Sequence, residues 1–296
     1  MDNNKTKLIL FLFIAMLIWG ISWTNAKIIG SYADYDILIF WRFIFSTITI
    51  LIIILSLKIP ILSPKNVIKY IILSSIFVVA YNYNYFKGTK IGLAGLGGVI
   101  VPTLSPIFTY LLSLITKKRD FNKLNLFGFL FGIIGGGTLL EIWNISLSEL
   151  VKSGNIYFII AAITWSFVTI FSEKVQNNVH PLSYSFWIYC SSIILSLPLT
   201  KTNSLLTIFS FDWIFWVNFL IVSAFSVGFA TTIFFYTTMR LGASTSSSFM
   251  YLVPVSALLF SNIILGEKIM LSTIIGGIFC IAAVYLINHK VRNKSI

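Results

Sequence analysis

Acidic side chains are scarce in this sequence: nine Asp and Glu stand against 21 Lys and Arg in 296 residues, and charged residues of either sign make up only 10%. A soluble domain carries roughly a quarter charged residues, so this chain lacks the polar surface to cover itself in water. Cysteine and histidine are equally rare, two of each. Cys190 and Cys280 both sit inside apolar runs, where packing is expected rather than a disulfide or metal pair. His180 and His289 fall at the ends of apolar runs, and no acidic pair shows metal-ligand spacing. A phosphate-binding Walker loop is also missing, which excludes an ATP-driven pump encoded in this chain. No cofactor, no metal and no catalytic residue is expected.

What is present is hydrocarbon. The chain is 57% hydrophobic with a mean hydropathy of +0.93, more apolar surface than a soluble fold of this length could bury. An apolar stretch of roughly 20 residues crosses a ~30 Å hydrocarbon core as a helix, because lipid offers backbone groups no partner. Runs such as LILFLFIAMLIW and ILIIILSL are apolar on every face, which excludes the alternation of a transmembrane barrel. The expected fold is an all-α integral membrane protein, multi-pass, in a cytoplasmic (inner) membrane. Splitting the runs at charges, prolines and polar clusters predicts ten transmembrane helices, near residues 8–26, 37–57, 68–86, 93–116, 124–142, 155–173, 182–200, 214–236, 243–265 and 271–289. The first follows Lys5 and Lys7 without a small-x-small cleavage site before Ser31, so it reads as a retained helix. The seventh is rich in serine and the ninth begins STSSSFMY, so each needs a wet or protein-lined face. The connections are too short to hold a soluble domain.

Orientation follows from the excess of Lys and Arg on the cytoplasmic side. With the N-terminus inside, fourteen basic residues fall on that side and six on the other, with Arg42 inside a span completing the 21. Both termini are therefore expected to be cytoplasmic. The net charge of +12 then reflects a solvated face opposite anionic headgroups; the expected partners are a lipid bilayer and a small-molecule substrate, with no nucleic acid.

The two halves repeat at a near-constant offset. Trp19 pairs with Trp165 and Trp41 with Trp187, 146 residues apart; LSPIFTYLLS at 104–113 matches LVPVSALLFS at 252–261, where Pro106 and Pro254 are 148 apart, as are Gly128 and Gly276. Two five-helix units, 1–145 and 146–296, are expected. Five is odd, so the second unit enters the membrane from the opposite side, and the units are inverted repeats. Halves of opposite orientation can exchange conformations around a central site, the arrangement of many secondary carriers.

The segments MLIWGISWTNAKII, WRFIF and LGASTSSSFMYLVPVSALLFSNIILGEKIMLSTIIGGIFCIAAVYLI resemble the drug/metabolite transporter superfamily, in particular its EamA-type members, and the resemblance covers nearly the whole chain. Its first repeat departs from the pattern, with Lys118-Arg119 where the second has Gly266-Glu267. The resemblance implies an exporter or exchanger with a central cavity lined by helices one, three, four, six, eight and nine. Members carry amino acids, nucleosides, sugars and other metabolites, and an amino acid or related amphipathic compound suits the aromatic and hydroxyl-rich positions here.

Residues three or four apart share a helix face, and polar or aromatic residues at that spacing are the candidates for a substrate-binding lining: Trp19 and Trp23; Tyr81, Asn82 and Tyr85; Trp165; Thr232 and Tyr236; Ser247 and Tyr251. An amide such as Asn82 at membrane depth needs a partner or water. Pro102, Pro106 and Pro254 lie inside spans, where each removes one backbone hydrogen bond and is a candidate helix break or gate. Arg42 is the one basic residue within a span. Snorkelling to the interface or pairing with Asp34 or Asp36 is expected of it, and with Lys27 it is a candidate charge at the outer mouth for a carboxylate. No acidic residue falls at mid-membrane, so transport without a buried proton carrier is expected. Gly128, Gly132 and Gly136 in helix five, and Gly276, Gly277 and Cys280 in helix ten, suit close helix packing, within a monomer rather than across a homodimer. The competing reading is an integral membrane enzyme acting on lipid or a lipid-linked substrate; a sensor, a scaffold and a channel explain the repeat less well.

Overall fold

Every backbone N–H and C=O in lipid must be satisfied within its own segment, and the chain does this with helices. The computed structural model describes residues 3–62, 64–92, 94–117, 123–144, 146, 155–265 and 270–293. The Lys118-Arg119 and Gly266-Glu267 pairs, and the junction between the two expected units at 145–154 except Ser146, lie outside the described residues, as do Asp2, Asp120 and Glu149.

The helices are α1 (Asn3–Ile29), α2 (Tyr35–Ser56), α3 (Lys65–Ile91), α4 (Ala94–Lys117), α5 (Lys123–Leu139), α6 (Asn155–Lys174), α7 (Pro181–Ser196), α8 (Trp213–Leu241), α9 (Ala243–Ile264) and α10 (Leu271–Asn293). Among the described residues nine are long and apolar enough to cross a membrane, and no strand is present. The exception is α5, whose 17 residues span about 26 Å at ~1.5 Å per residue. Ten full spans were expected; among the described residues nine reach that length, and α5, described from Lys123, is the tenth helix.

Two helices are irregular in ways the sequence did not announce. Residues Ile221–Thr231 of α8 form an 11-residue π-helix. In α9 the serine-rich helix Ala243–Ser248 passes through a 3₁₀ turn, Phe249–Leu252, into a second helix that starts at Val253. Pro254 therefore sits in the first turn of a new helical segment, where its missing N–H costs little, rather than breaking a span. Pro102 and Pro106 are carried inside a continuous α4, and the carbonyl of Ser105 accepts from Ser166 Oγ of α6 at 3.0 Å.

The contacts between helices follow a regular pattern. Helix α1 packs on α8 and α9, as α6 packs on α3 and α4; α2 crosses α7; α2 meets α8 as α3 meets α7; and α5 pairs with α10. Trp41 and Trp187, 146 residues apart, make matching bonds. Trp41 Nε1 donates to the carbonyl of Leu205, after α7, at 2.8 Å; Trp187 Nε1 donates to that of Ile61, after α2, also at 2.8 Å.

Large apolar side chains such as Leu10, Ile52, Ile115, Ile194 and Ile263 face outward, as a lipid-solvated surface requires. Small hydroxyls face inward and satisfy themselves locally: Ser75, Ser166, Thr169 and Ser223 each donate to the carbonyl four residues back at 2.6–2.9 Å, the usual solution for hydroxyls on membrane helices. The expected glycine contact between α5 and α10 is present within one chain. A Cβ on Gly135 would lie 2.9 Å from the carbonyl oxygen of Gly276 and 2.8 Å from Cys280 Sγ, so the backbones touch directly. Gly132 and Gly136 instead face Tyr251 and Thr103.

A central cavity between the two halves

Arg42 lies two turns into α2, about 10 Å from its start at ~1.5 Å per residue, and is 3% exposed. It neither snorkels nor meets the carboxylates expected of it. Asp34 is taken by Lys90, and by Lys201 at 3.6 Å, and the Lys90 ammonium holds its carboxyl below the usual range. Asp36 accepts the backbone N–H of Lys201 at 2.8 Å. The Arg42 side chain turns inward because partners wait there: Nε donates to the Val222 carbonyl at 3.1 Å, and Nη1 donates to Asn82 Oδ1 at 2.8 Å. The rings of Tyr85 and Phe86 lie 5.1 and 5.3 Å from its Cζ, within cation–π reach.

The π-helix supplies several of the acceptors at this level. The carbonyl of Val222 takes Arg42, that of Ser223 takes Ser46 Oγ at 3.0 Å, and that of Ser226 takes both Trp19 Nε1 and Thr231 Oγ1 at 3.1 Å. A π-turn inside an α-helix often marks a functional position, and here its carbonyls face α1 and α2.

Around Arg42, Trp19 and Trp165, 146 residues apart, meet edge to face. Trp19 and Trp165 have ring centroids 5.3 Å apart at 81°. Tyr81 lies 4.8 Å from Trp165, and Trp23 lies 4.5 Å from Tyr85, whose hydroxyl donates to the Ser22 carbonyl at 3.1 Å. Asn82, costly at this depth, is satisfied: its Nδ2 donates to the Val78 carbonyl at 2.8 Å while its oxygen receives Arg42. These groups line a narrow cavity with a free volume of about 30 Å³, room for roughly one or two waters.

Of the sequence candidates, Trp19, Trp23, Tyr81, Asn82, Tyr85, Trp165, Pro102 and Arg42 line this cavity. The others do not. Thr232 bonds back to the Gly228 carbonyl at 2.8 Å, and its neighbour Thr231 lines the cavity instead. Tyr236 lies beside Arg240, 5.8 Å from ring to guanidinium. Ser247 donates to the Ser244 carbonyl at 3.2 Å. Tyr251 is fully buried in a separate cluster with Val99, Phe129 and Ala283, and Pro106 and Pro254 also lie off the lining. Each of these misses shares a cause: helical spacing gives the face, but not which neighbour covers it. Lys27 caps α3, donating to the carbonyls of Thr89 and Gly92 at 3.1 Å each. With Lys90 and Tyr35 it lines a second cavity of about 220 Å³ at that end of the bundle, so Lys27 and Arg42 belong to different sites. Tyr189 of α7 also lines the central cavity, with Met250 and Val253 of α9. Arg42 and Tyr189 bring α2 and α7 into a lining expected from six other helices; the intramembrane arginine was the one signal for this.

A family model described as the EamA-like transporter family matches the chain twice, over residues 6–139 and 152–289. An uncharacterized transporter of Bacillus subtilis strain 168, YoaV, is 24% identical over 288 residues, covering 95% of this chain and 96% of that protein. An uncharacterized transporter of Synechocystis, sll0355, is 28% identical over 218 residues, 68% of this chain and 65% of the relative, so the chain spans just under two thirds of that protein's length. A protein of known crystal structure superposes with a TM-score of 0.73 over 98% of this chain and 99% of its own, at 16% identity, a likeness of fold alone.

Proposed function

The chain belongs to the EamA-like transporter family, a multi-pass membrane protein, and from that premise we propose that it is a secondary transporter, an exporter or exchanger, that moves a small organic metabolite by alternating access through the central cavity. An amino acid or related amphipathic compound fits the lining best, since aromatic rings and a few fixed polar groups surround Arg42. The observation that carries this reading is the convergence of Trp19 and Trp165, one from each half, at a buried polar centre. Two inverted repeats, 1–145 and 146–296, are supported by the double family match and by the paired helix contacts. Alternating access then amounts to one half rocking against the other around a fixed site. The narrowness of the cavity supports a closed form that must widen to admit cargo. The ten-span topology in the inner membrane, with both termini cytoplasmic, rests on the distribution of Lys and Arg. Because the family and the relatives carry transporter names, a lipid-directed enzyme is the weaker reading.

Reconstitution into proteoliposomes tests this. Counterflow with labelled amino acids, nucleosides, sugars and organic acids is expected to be saturable for one class, and Trp19→Ala to reduce it about tenfold or more, the loss of one aromatic anchor. A folded protein that moves none of them would refute the reading. Uphill transport driven by a pH gradient alone would remove the expectation of a carrier without a proton relay.

A further inference from the structure

A guanidinium inside a membrane is costly unless its charge is met. Arg42 has five N–H donors, and two are used, on the Val222 carbonyl and on Asn82 Oδ1. Both acceptors are neutral, so the charge is hydrogen-bonded without being neutralised. Asp34 is paired with Lys90 and Lys201, at the end of the bundle and away from Arg42. The neighbouring acceptors are engaged: Ser226 O by Trp19 and Thr231, Ser22 O by Tyr85. A second lining donor is idle. The indole Nε1–H of Trp165 is buried with no acceptor among the described residues, although its repeat mate Trp19 has one. The cavity thus holds spare donors and a positive charge met by two carbonyl-type oxygens and the faces of Tyr85 and Phe86, with no carboxylate among its lining residues.

We propose that Arg42 is the anion-binding residue of this cavity and that the cargo carries a carboxylate, held by the free N–H edge of Arg42 and by the Trp165 indole, with its apolar part among Trp19, Trp23 and Tyr81. A planar carboxylate matches the guanidinium fork. A phosphate dianion fits less well, because Lys27 and Lys90 face the other cavity and Arg42 is the one cation on this lining. The inference rests on the transporter reading and specifies the cargo of the same site.

Paired probes that differ only in the acid group decide it: 3-phenylpropanoate against its amide, hexanoate against hexanamide, and L-phenylalanine and L-leucine against their amides, titrated onto purified protein by tryptophan fluorescence and scored in counterflow. At least one acid is expected to bind about 10- to 100-fold more tightly than its amide, the worth of a charge-assisted hydrogen bond. Arg42→Gln is expected to erase that preference and Arg42→Lys to retain part of it. If Arg42→Gln does not fold, the acid-to-amide ratio of the unmodified protein still decides. Acids binding no better than amides, or a preference that survives in Arg42→Gln, would overturn the proposal. Counterflow of neutral or cationic probes without acid preference would overturn it while leaving the transporter reading intact; acid-selective binding without flux of any compound would do the reverse.

Discussion

Trp19 and Trp165, 146 residues apart, face one another, yet among the described residues one indole has an acceptor and the other has none. The difference arises because Trp19 faces the π-helix of α8, whose Ser226 carbonyl is offered sideways. It predicts unequal responses to the same change. Trp19→Phe should cost about 1 kcal/mol, the net worth of a hydrogen bond, whereas Trp165→Phe deletes an unpaired donor and should leave the melting temperature unchanged or raise it. Thermal unfolding of both variants in one detergent checks this; equal losses would show that the Ser226 bond contributes nothing. At this scale much of the site was legible. Aromatic and polar residues three or four apart on α1 and α3, with Trp165 of α6, marked faces that line the candidate cavity, and Arg42 stood out as a charge in an apolar run. Its direction was not legible, because the choice between the interface and the centre is made by Val222 and Asn82, 180 and 40 residues away.

Among the elements, α5 and α10 form the closest pair, and glycine makes that possible. A side chain at Gly135 would press on the Gly276 carbonyl and Cys280, so Gly135→Val should destabilise by about 1–3 kcal/mol, the range for overpacking. Gly137→Ala is the control: its Cβ would meet only Ile142 Cγ2, at 3.6 Å, and melting temperatures should separate the two. Should both variants melt alike, the close contact is not what holds the pair. The spacing of Gly128, Gly132 and Gly136 pointed to this pair of helices, but the closest backbone contact falls at Gly135, while Gly132 and Gly136 face Tyr251 and Thr103. The π-helix of α8 and the 3₁₀ turn of α9 were not foretold. In the π-helix the carbonyls of Val222, Ser223 and Ser226 meet side-chain donors from α1 and α2, and single-helix periodicity carries no record of that.

For the whole molecule, the Lys and Arg asymmetry predicts opposite sides for the turn after α2 and the turn after α7. In a background lacking Cys190 and Cys280, Lys201→Cys should react with a membrane-impermeant maleimide on intact cells, and Lys58→Cys only after permeabilisation. Labelling of both from one side would overturn the proposed topology. The sequence by itself determined that the chain is helical and lives in lipid, and that two stretches, 6–139 and 152–289, each match the same family, because apolar content and residue order are properties of the sequence. Only the tertiary structure decided which side chains share the centre, that Arg42 points there without a carboxylate, and that Lys27, Tyr251 and Ser247 lie elsewhere. Those outcomes turn on which groups from distant helices come within hydrogen-bonding reach, and a single helix cannot specify its neighbours.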